Sequence, residues 1–274
     1  AMLLASVAVF AGFVVIERRA VQPMLDLSFF RSTGFIGVQV LAASPAFLFI
    51  VLIVMLPGRF IGIDGYSALQ AGQMMVWLAA PLLVVPFLAA LLTRWFTPGL
   101  LCSVGLFLVA GGLLGLAHGF AQGGAALQLP LLLIGIGIGL PWGLMDALAV
   151  SVVTPERVGM ATGIFNTVRV SADGVAIAMM SVLLATLIQN GMALEMGESG
   201  SQAALLEAAS RTALGELHTA VSILPGYEAL LSQRYAESFI TVMYVLAGIA
   251  ALTACAVFVL LREQPAGAST AQKT

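Results

Sequence analysis

The stretch LPLLLIGIGIGLPWGLMDALAVSVV (129–153) decides the fold class of this 274-residue chain. A helix needs about 20 mostly apolar residues to cross a hydrocarbon core about 30 Å thick, and this stretch carries one charged residue, Asp146. The sequence therefore predicts an all-α integral membrane protein, not a β-barrel, whose shorter strands alternate polar and apolar residues. Five other stretches meet the same criterion: 35–57, 71–92, 99–118, 160–188 and 237–261.

The composition excludes several classes of protein. Only 9% of the residues are charged and 61% are hydrophobic, whereas an average soluble domain has roughly 25% charged residues. A net charge of −2 without any basic cluster argues against nucleic-acid binding. Cys102 and Cys255 lie in separate apolar stretches, so we expect neither a disulfide framework nor a metal site, and no cofactor.

The ends of the chain differ from the six apolar stretches. Residues 1–16 are apolar but too short to span, and no basic region precedes them as in a signal peptide. We interpret them as the end of a truncated seventh helix, so the chain is expected to be the C-terminal piece of a longer protein. We assign 17–34 as a cytoplasmic linker, 35–261 as the six-helix bundle and 262–274 as a cytoplasmic tail.

Positive charges predict the orientation. Cytoplasmic loops of membrane proteins carry an excess of Lys and Arg. The linker, the turns at 93–98 and 154–159 and the tail carry Arg18, Arg19, Arg31, Arg94, Arg157, Arg262 and Lys273. The short loops of the opposite side carry only Arg59. We therefore expect a multi-pass protein of the cell (inner) membrane with a cytoplasmic C-terminus.

The segment at about 189–236 is the only long polar region, and this orientation makes it an outer loop. It opens with NGMALEMGESGS, which we expect to be flexible. Helical spacing of apolar residues then predicts one amphipathic helix, with Leu205, Leu206, Ala209, Ala213, Leu217 and Val221 on its apolar face. Two interpretations stay open, a solvated connector resting on the bundle and a segment that gates or binds a partner.

Two rows of glycines recur at every fourth position. One row is Gly135, Gly139 and Gly143, and the other is Gly111, Gly115 and Gly119. Small residues at this spacing let helix backbones approach closely in lipid, so both rows predict tight helix packing. A dinucleotide-binding fingerprint is not present, because Trp142 occupies the place of its third glycine.

Three ionisable residues fall well inside the apolar stretches: Asp146, Arg169 and Asp173. A charged side chain near the bilayer centre costs about 2.5–3.5 kcal/mol, so such residues usually face a partner or a cavity. Only the turn TPERVG separates the stretch that contains Asp146 from the stretch that contains Arg169. The two helices should therefore be antiparallel neighbours, and we expect Arg169 to meet Asp146 between them. This network either fixes helix registry or lines an aqueous path that carries protons.

Weaker candidates for substrate contact are polar or aromatic residues within the same stretches: Asn166, Gln39, Gln73, Trp77 and Trp142. Ser44 belongs to the same set. Indole rings can bind apolar or cationic compounds, although ordinary packing is the commoner role. Signatures of proteases, hydrolases and P-loop enzymes are not found in the sequence, so we expect no enzyme.

Three motifs resemble one known family. They are PMLDLSFFRSTGF (23–35), GIDGYSALQAG (62–72) and TPERVGMATGIFNTVR (154–169). In this order and at this spacing they resemble the fourteen-helix drug:proton antiporter branch of the major facilitator superfamily. The resemblance implies that 35–261 forms the six-helix C-terminal bundle of such a transporter, built as two inverted three-helix repeats.

The resemblance also implies a function. Such proteins export small, often amphipathic compounds in exchange for protons, between this bundle and an N-terminal helical bundle that is missing from the chain. The expected partners are therefore a small-molecule substrate, protons, the lipid bilayer and the missing N-terminal bundle. An alternative from another class is a multi-helix membrane sensor or scaffold that binds a partner through its outer loop.

Overall fold

The structure is a computed structural model that describes residues 12, 29, 31–196 and 202–261. Within these residues the regular structure is helical throughout, and six helical stretches are long and apolar enough to cross a membrane. The predicted all-α membrane bundle is confirmed. The expected truncated helix 1–16, apart from residue 12, most of the linker 17–34 and the tail 262–274 lie outside the described residues.

The first span, Thr33–Gly62, is interrupted by an irregular turn. Helix α1 covers Thr33–Pro45, a π-helical turn covers Ala46–Ile50, and α2 covers Val51–Gly62. Proline lacks the backbone N–H that continues an α-helical ladder, and the wider turn follows directly after Pro45. Turns of this kind often mark functional sites in helices.

The second span has a similar break, and the third has none. Helix α3 covers Ala68–Ala79, a 3₁₀ turn covers Ala80–Leu83, and α4 covers Val85–Leu92. Ser67 and Gln70 form a capping box at the start of α3, with hydrogen bonds of 2.9 and 3.3 Å. Helix α5 then runs unbroken over Pro98–Gly119.

Three long helices complete the bundle. Helix α6 covers Gln128–Ser151, α7 covers Val158–Met196 and α10 covers Glu228–Leu261. Short 3₁₀ turns at Gly124–Leu127 and Pro155–Arg157 precede α6 and α7. Helix α6 is central, since it packs against α1, α3, α4 and α5. We call the end that carries residues 93–97 and 152–157 the turn end of the bundle.

One predicted glycine row forms a tight contact between two spans. Added Cβ atoms on Gly139 and Gly143 would lie 2.8 Å from Val85 and 2.7 Å from Pro86, and Gly135 lies directly against Leu78. This face of α6 therefore packs on α3 and α4 with almost no space between the backbones. The prediction of close packing is confirmed for this row.

The second predicted row is only partly correct. An added Cβ atom on Gly111 would meet nothing within 4 Å, so this glycine does not contact a neighbouring helix. The glycines of α5 that approach α6 most closely lie seven residues apart, at positions 105 and 112. On the facing side, an added Cβ on Gly137 would lie 2.6 Å from the Gly105 carbonyl oxygen. A seven-residue row thus mediates the α5–α6 contact.

The polar segment 189–236 is mostly helical, which corrects two expectations. Helix α7 continues to Met196, so the first half of the stretch expected to be flexible is helix. The single amphipathic helix is in fact two, α8 at Gln202–Ala213 and α9 at Leu217–Ile223. The buried face of α8 consists of Leu205, Ala208, Ala209 and Thr212, whereas Leu206 is exposed.

The turn between α8 and α9 holds these two helices on the bundle. Gly215 has a φ of +81°, a conformation that residues with a side chain rarely adopt. Its Cβ position lies 2.6 Å from the carbonyl oxygen of Gly58, and Gly62 also contacts its backbone. Helices α8 and α9 are thereby attached to the end of α2, and we call this end of the bundle the cap end.

Candidate functional site

An ion pair joins the two helices that the sequence predicted to be neighbours. Arg169 Nη1 lies 3.8 Å from Asp146 Oδ1, which is within ion-pair range but too long for a hydrogen bond. The carboxylate side chain is 70% exposed and the guanidinium side chain 28%. The rise of an α-helix places Asp146 about 8 Å from the end of α6, and Arg169 about 16 Å from the start of α7. The pair is therefore loose, open and inside the spans.

The guanidinium has an aromatic neighbour as well. Its Cζ atom lies 5.3 Å from the centre of the Trp142 ring, one turn before Asp146 on α6. Trp142 in turn contacts Phe49 edge-on, with ring centres 5.4 Å apart. Phe49 belongs to the π-helical turn of the first span. Arg169 is thus held between a carboxylate and an indole ring, which lies against the irregular turn.

Helix α7 carries a polar stripe, formed by Asn166, Arg169 and Asp173, at one side of the bundle. Asp173 follows Arg169 by one turn and is half-buried, but among the described residues the two form no ion pair. Asn166 lies one turn before Arg169 and is exposed. Only 22% of the apolar window of α7 is buried, against 61% for that of α6. The stripe therefore borders an open face of the bundle.

Gln39 on α1 is a buried member of the predicted contact residues. It is 8% exposed, and neither its amide nitrogen nor its amide oxygen has a hydrogen-bond partner among the described residues. Ser44, five residues further along α1, donates its hydroxyl hydrogen to the Leu41 carbonyl oxygen at 2.8 Å. Burial of an amide without a partner is unfavourable, so Gln39 holds polar groups available to a ligand or to water.

Gln73 and Trp77 do not join the ion pair. They line a groove at the cap end together with Tyr66, Gln70 and Gln128. Gln128 and Asp146 both lie on α6, eighteen residues and therefore about 27 Å apart along the helix axis. Among the predicted contact residues, the structure brings Trp142 to Arg169 and places Gln73 and Trp77 in a separate groove.

A second ion pair, which the sequence did not reveal, lies at the cap end. Arg59 belongs to the last turn of α2, not to a loop as expected, and its side chain is 5% exposed. Its Nε atom lies 3.3 Å from Asp64 Oδ2. Its Cζ atom lies 3.9 Å from the ring centre of Phe120 and 4.9 Å from that of Phe239. Arg59 therefore ties the first span to α5 and α10.

Asp64 is the acidic partner of Arg59 and lies in the loop after α2, outside the spans. Burial raises the pKa of its carboxyl above the ordinary value, and the nearby guanidinium opposes part of this rise. Desolvation is the larger effect. The ionised pair is therefore less favourable than its short distance suggests.

Comparison with known proteins identifies relatives of this chain. It is 29% identical to the tetracenomycin C resistance and export protein of Streptomyces glaucescens, over 95% of the chain and 50% of that protein. It is 28% identical to the multidrug resistance protein Stp of Mycobacterium tuberculosis, over 64% of the chain and 33% of that protein. The chain thus spans about half the length of the first of these curated relatives. No family model matches it.

These relatives agree with the resemblance in the sequence motifs. Both relatives are named as resistance proteins, and the first is also named as an export protein. These names describe resistance and export and not enzymes, in agreement with the expectation from the sequence. The chain's six helical stretches that are long and apolar enough to cross a membrane indicate a multi-pass membrane protein.

Proposed function

We propose that the chain forms one helical bundle of a secondary transporter that exports small amphipathic compounds in exchange for protons. The observation that carries the proposal is the loose pair of Asp146 and Arg169, inside the apolar spans and open to one side. The related exporters support the transport of small molecules, and the ion pair supports the exchange of protons.

Proton exchange follows from the two protonation states of Asp146. The ionised carboxylate attracts the guanidinium of Arg169 and lowers the cost of two charges within the membrane. The protonated carboxyl loses most of this attraction, and Arg169 can then move toward the indole ring of Trp142, where a cation–π contact remains. Protonation thereby changes which side chain holds the guanidinium.

The open face of α7 supports a role for a second helical bundle. Asn166 and Val170 are exposed there, next to the half-buried Arg169 and Asp173. A substrate passing between the two bundles would meet this polar stripe, and the buried amide of Gln39 could bind it if the helices separate. In this proposal the turn end and the C-terminus of the chain face the cytoplasm.

The test is drug efflux from cells that produce the complete protein. We expect Arg169→Ala to abolish efflux at normal expression, because the carboxylate then loses its charged partner. The matched control is Arg211→Ala, which removes an exposed arginine paired with Glu216 at 3.1 Å at the cap end. Efflux at the wild-type rate in the Arg169→Ala variant would refute the proposal.

A further inference from the structure

We propose that the groove at the cap end is a second ligand site, which binds uncharged, planar aromatic molecules with polar edges. The groove has a volume of about 450 Å³, within the range of roughly 300–1,000 Å³ typical of small-molecule sites. It lies about 27 Å along α6 from Asp146 and shares no lining residue with the ion pair.

The lining combines aromatic rings and amides without charge. Gln70, Gln73 and Trp77 follow a spacing of three and four residues, which places them on one face of α3. Tyr66 comes from the loop before this helix, and Gln128 is the first residue of α6. No acidic or basic side chain is among the described residues that line the groove.

Two of these side chains are held in position. The Tyr66 ring stacks on the fully buried Phe60 ring, with centres 5.5 Å apart and planes inclined by 11°. The Gln70 amide oxygen accepts a hydrogen bond from the Ser67 backbone N–H within the capping box. One aromatic face and one amide are thus fixed before any ligand binds, which reduces the entropy lost on binding.

Three polar groups are left for a ligand. The amides of Gln73 and Gln128 and the indole N–H of Trp77 have no hydrogen-bond partner among the described residues. Lipid chains would leave these groups unpaired, whereas a ligand with hydroxyl or carbonyl groups at its edge would pair them. Planar rings can stack on Trp77 and Tyr66.

The absence of charge in the lining defines the ligand class. An ion would lose hydration in the groove without gaining a counter-charge, so charged compounds should bind more weakly than neutral compounds of the same shape. The further step of treating the bound molecule as an exported compound rests on the proposed export function. Binding itself does not depend on that function, because the groove is remote from Asp146 and Arg169.

The experiment is protection of an introduced cysteine in the complete protein, purified in detergent with Cys255→Ala. Gln73→Cys is labelled with a water-soluble maleimide, with and without uncharged hydroxymethylanthraquinone. Gln122→Cys is the matched control, because Gln122 lies in the same region but does not line the groove. We expect the probe to slow labelling of Gln73→Cys at least about threefold and to leave Gln122→Cys unchanged.

Three outcomes would overturn the inference. Labelling of Gln73→Cys at the same rate with and without saturating probe would show that the groove is not a binding site. Equal protection of Gln122→Cys would show nonspecific coating. Equal protection by anthraquinone sulfonate, which carries a fixed charge on the same rings, would refute the ligand class. If Gln73→Cys does not fold, Gln128→Cys serves in its place. A negative result in the labelling experiment does not affect the efflux test of Arg169→Ala, so the two proposals can fail separately.

Discussion

Substitution of a single glycine should destabilise the contact between α5 and α6. In Gly137→Ala the new Cβ would lie 2.6 Å from the Gly105 carbonyl oxygen and 2.7 Å from Val109 Cγ2. The Val109 backbone nitrogen would be 2.8 Å away. Overpacking costs about 1–3 kcal/mol, and we expect the upper end here because two of the three atoms belong to backbone that cannot rotate away.

The matched control is Gly111→Ala on α5. Both changes gain the same helix propensity of up to about 1 kcal/mol, but the Gly111 position has nothing within 4 Å. The difference between the two variants therefore isolates the clash. A difference of about 3 kcal/mol corresponds to a lower melting temperature by roughly 6–12 °C for 150–250 residues, and by less for the longer complete protein. Thermal unfolding of the complete protein in detergent measures it, and equal melting temperatures would refute the packing described for α5 and α6.

Three further predictions concern the cap end. Gly215→Ala should lower the melting temperature more than Gly226→Ala. Both positions have positive φ, but only the Cβ at position 215 would press against Gly58. Equal decreases in melting temperature would contradict this contact. Arg59→Met should lower the free energy of unfolding by about 2 kcal/mol, which is less than the 3–5 kcal/mol lost when a fully buried pair is broken, because Asp64 is partly exposed. Adding Asp64→Asn should restore part of this stability in thermal unfolding. The raised pKa of Asp64 means that its protonated form is favoured by folding, so its contribution to stability is full below the ordinary pKa of Asp and is lost as pH rises through the raised value. Unfolding measured against pH should therefore show a decline that Asp64→Asn reduces, and identical profiles would exclude this linkage.

The features that depend on local spacing could be predicted from the sequence. Apolar length gave the six spans, because the bilayer core sets the length of a helix that crosses it. The row that includes Gly139 and Gly143 was correct because residues four apart share a helix face. The neighbourhood of Asp146 and Arg169 followed from the short turn between their helices.

The features that depend on distant parts of the chain could not be predicted. Gly111 has the same spacing as the correct row, but the crossing of α5 and α6 brings Gly105 and Gly112 closest to α6 and leaves Gly111 without a contact. The sequence predicted Arg59 to be a loop residue because its aromatic neighbours are distant along the chain: Phe120 follows the end of α5, and Phe239 lies in α10. Gln73 and Trp77 were expected near the ion pair, because the sequence shows the chemical character of a side chain but not its distance from Asp146 and Arg169.

Proton movement through Asp146 tests the central claim most directly. The complete protein is reconstituted into vesicles containing a pH-sensitive dye, and substrate is added on one side. We predict that wild-type protein couples substrate movement to a change in internal pH, and that Asp146→Asn, which cannot ionise, abolishes this change while the protein remains folded. A substrate-driven pH change of wild-type size in the Asp146→Asn variant would contradict the account.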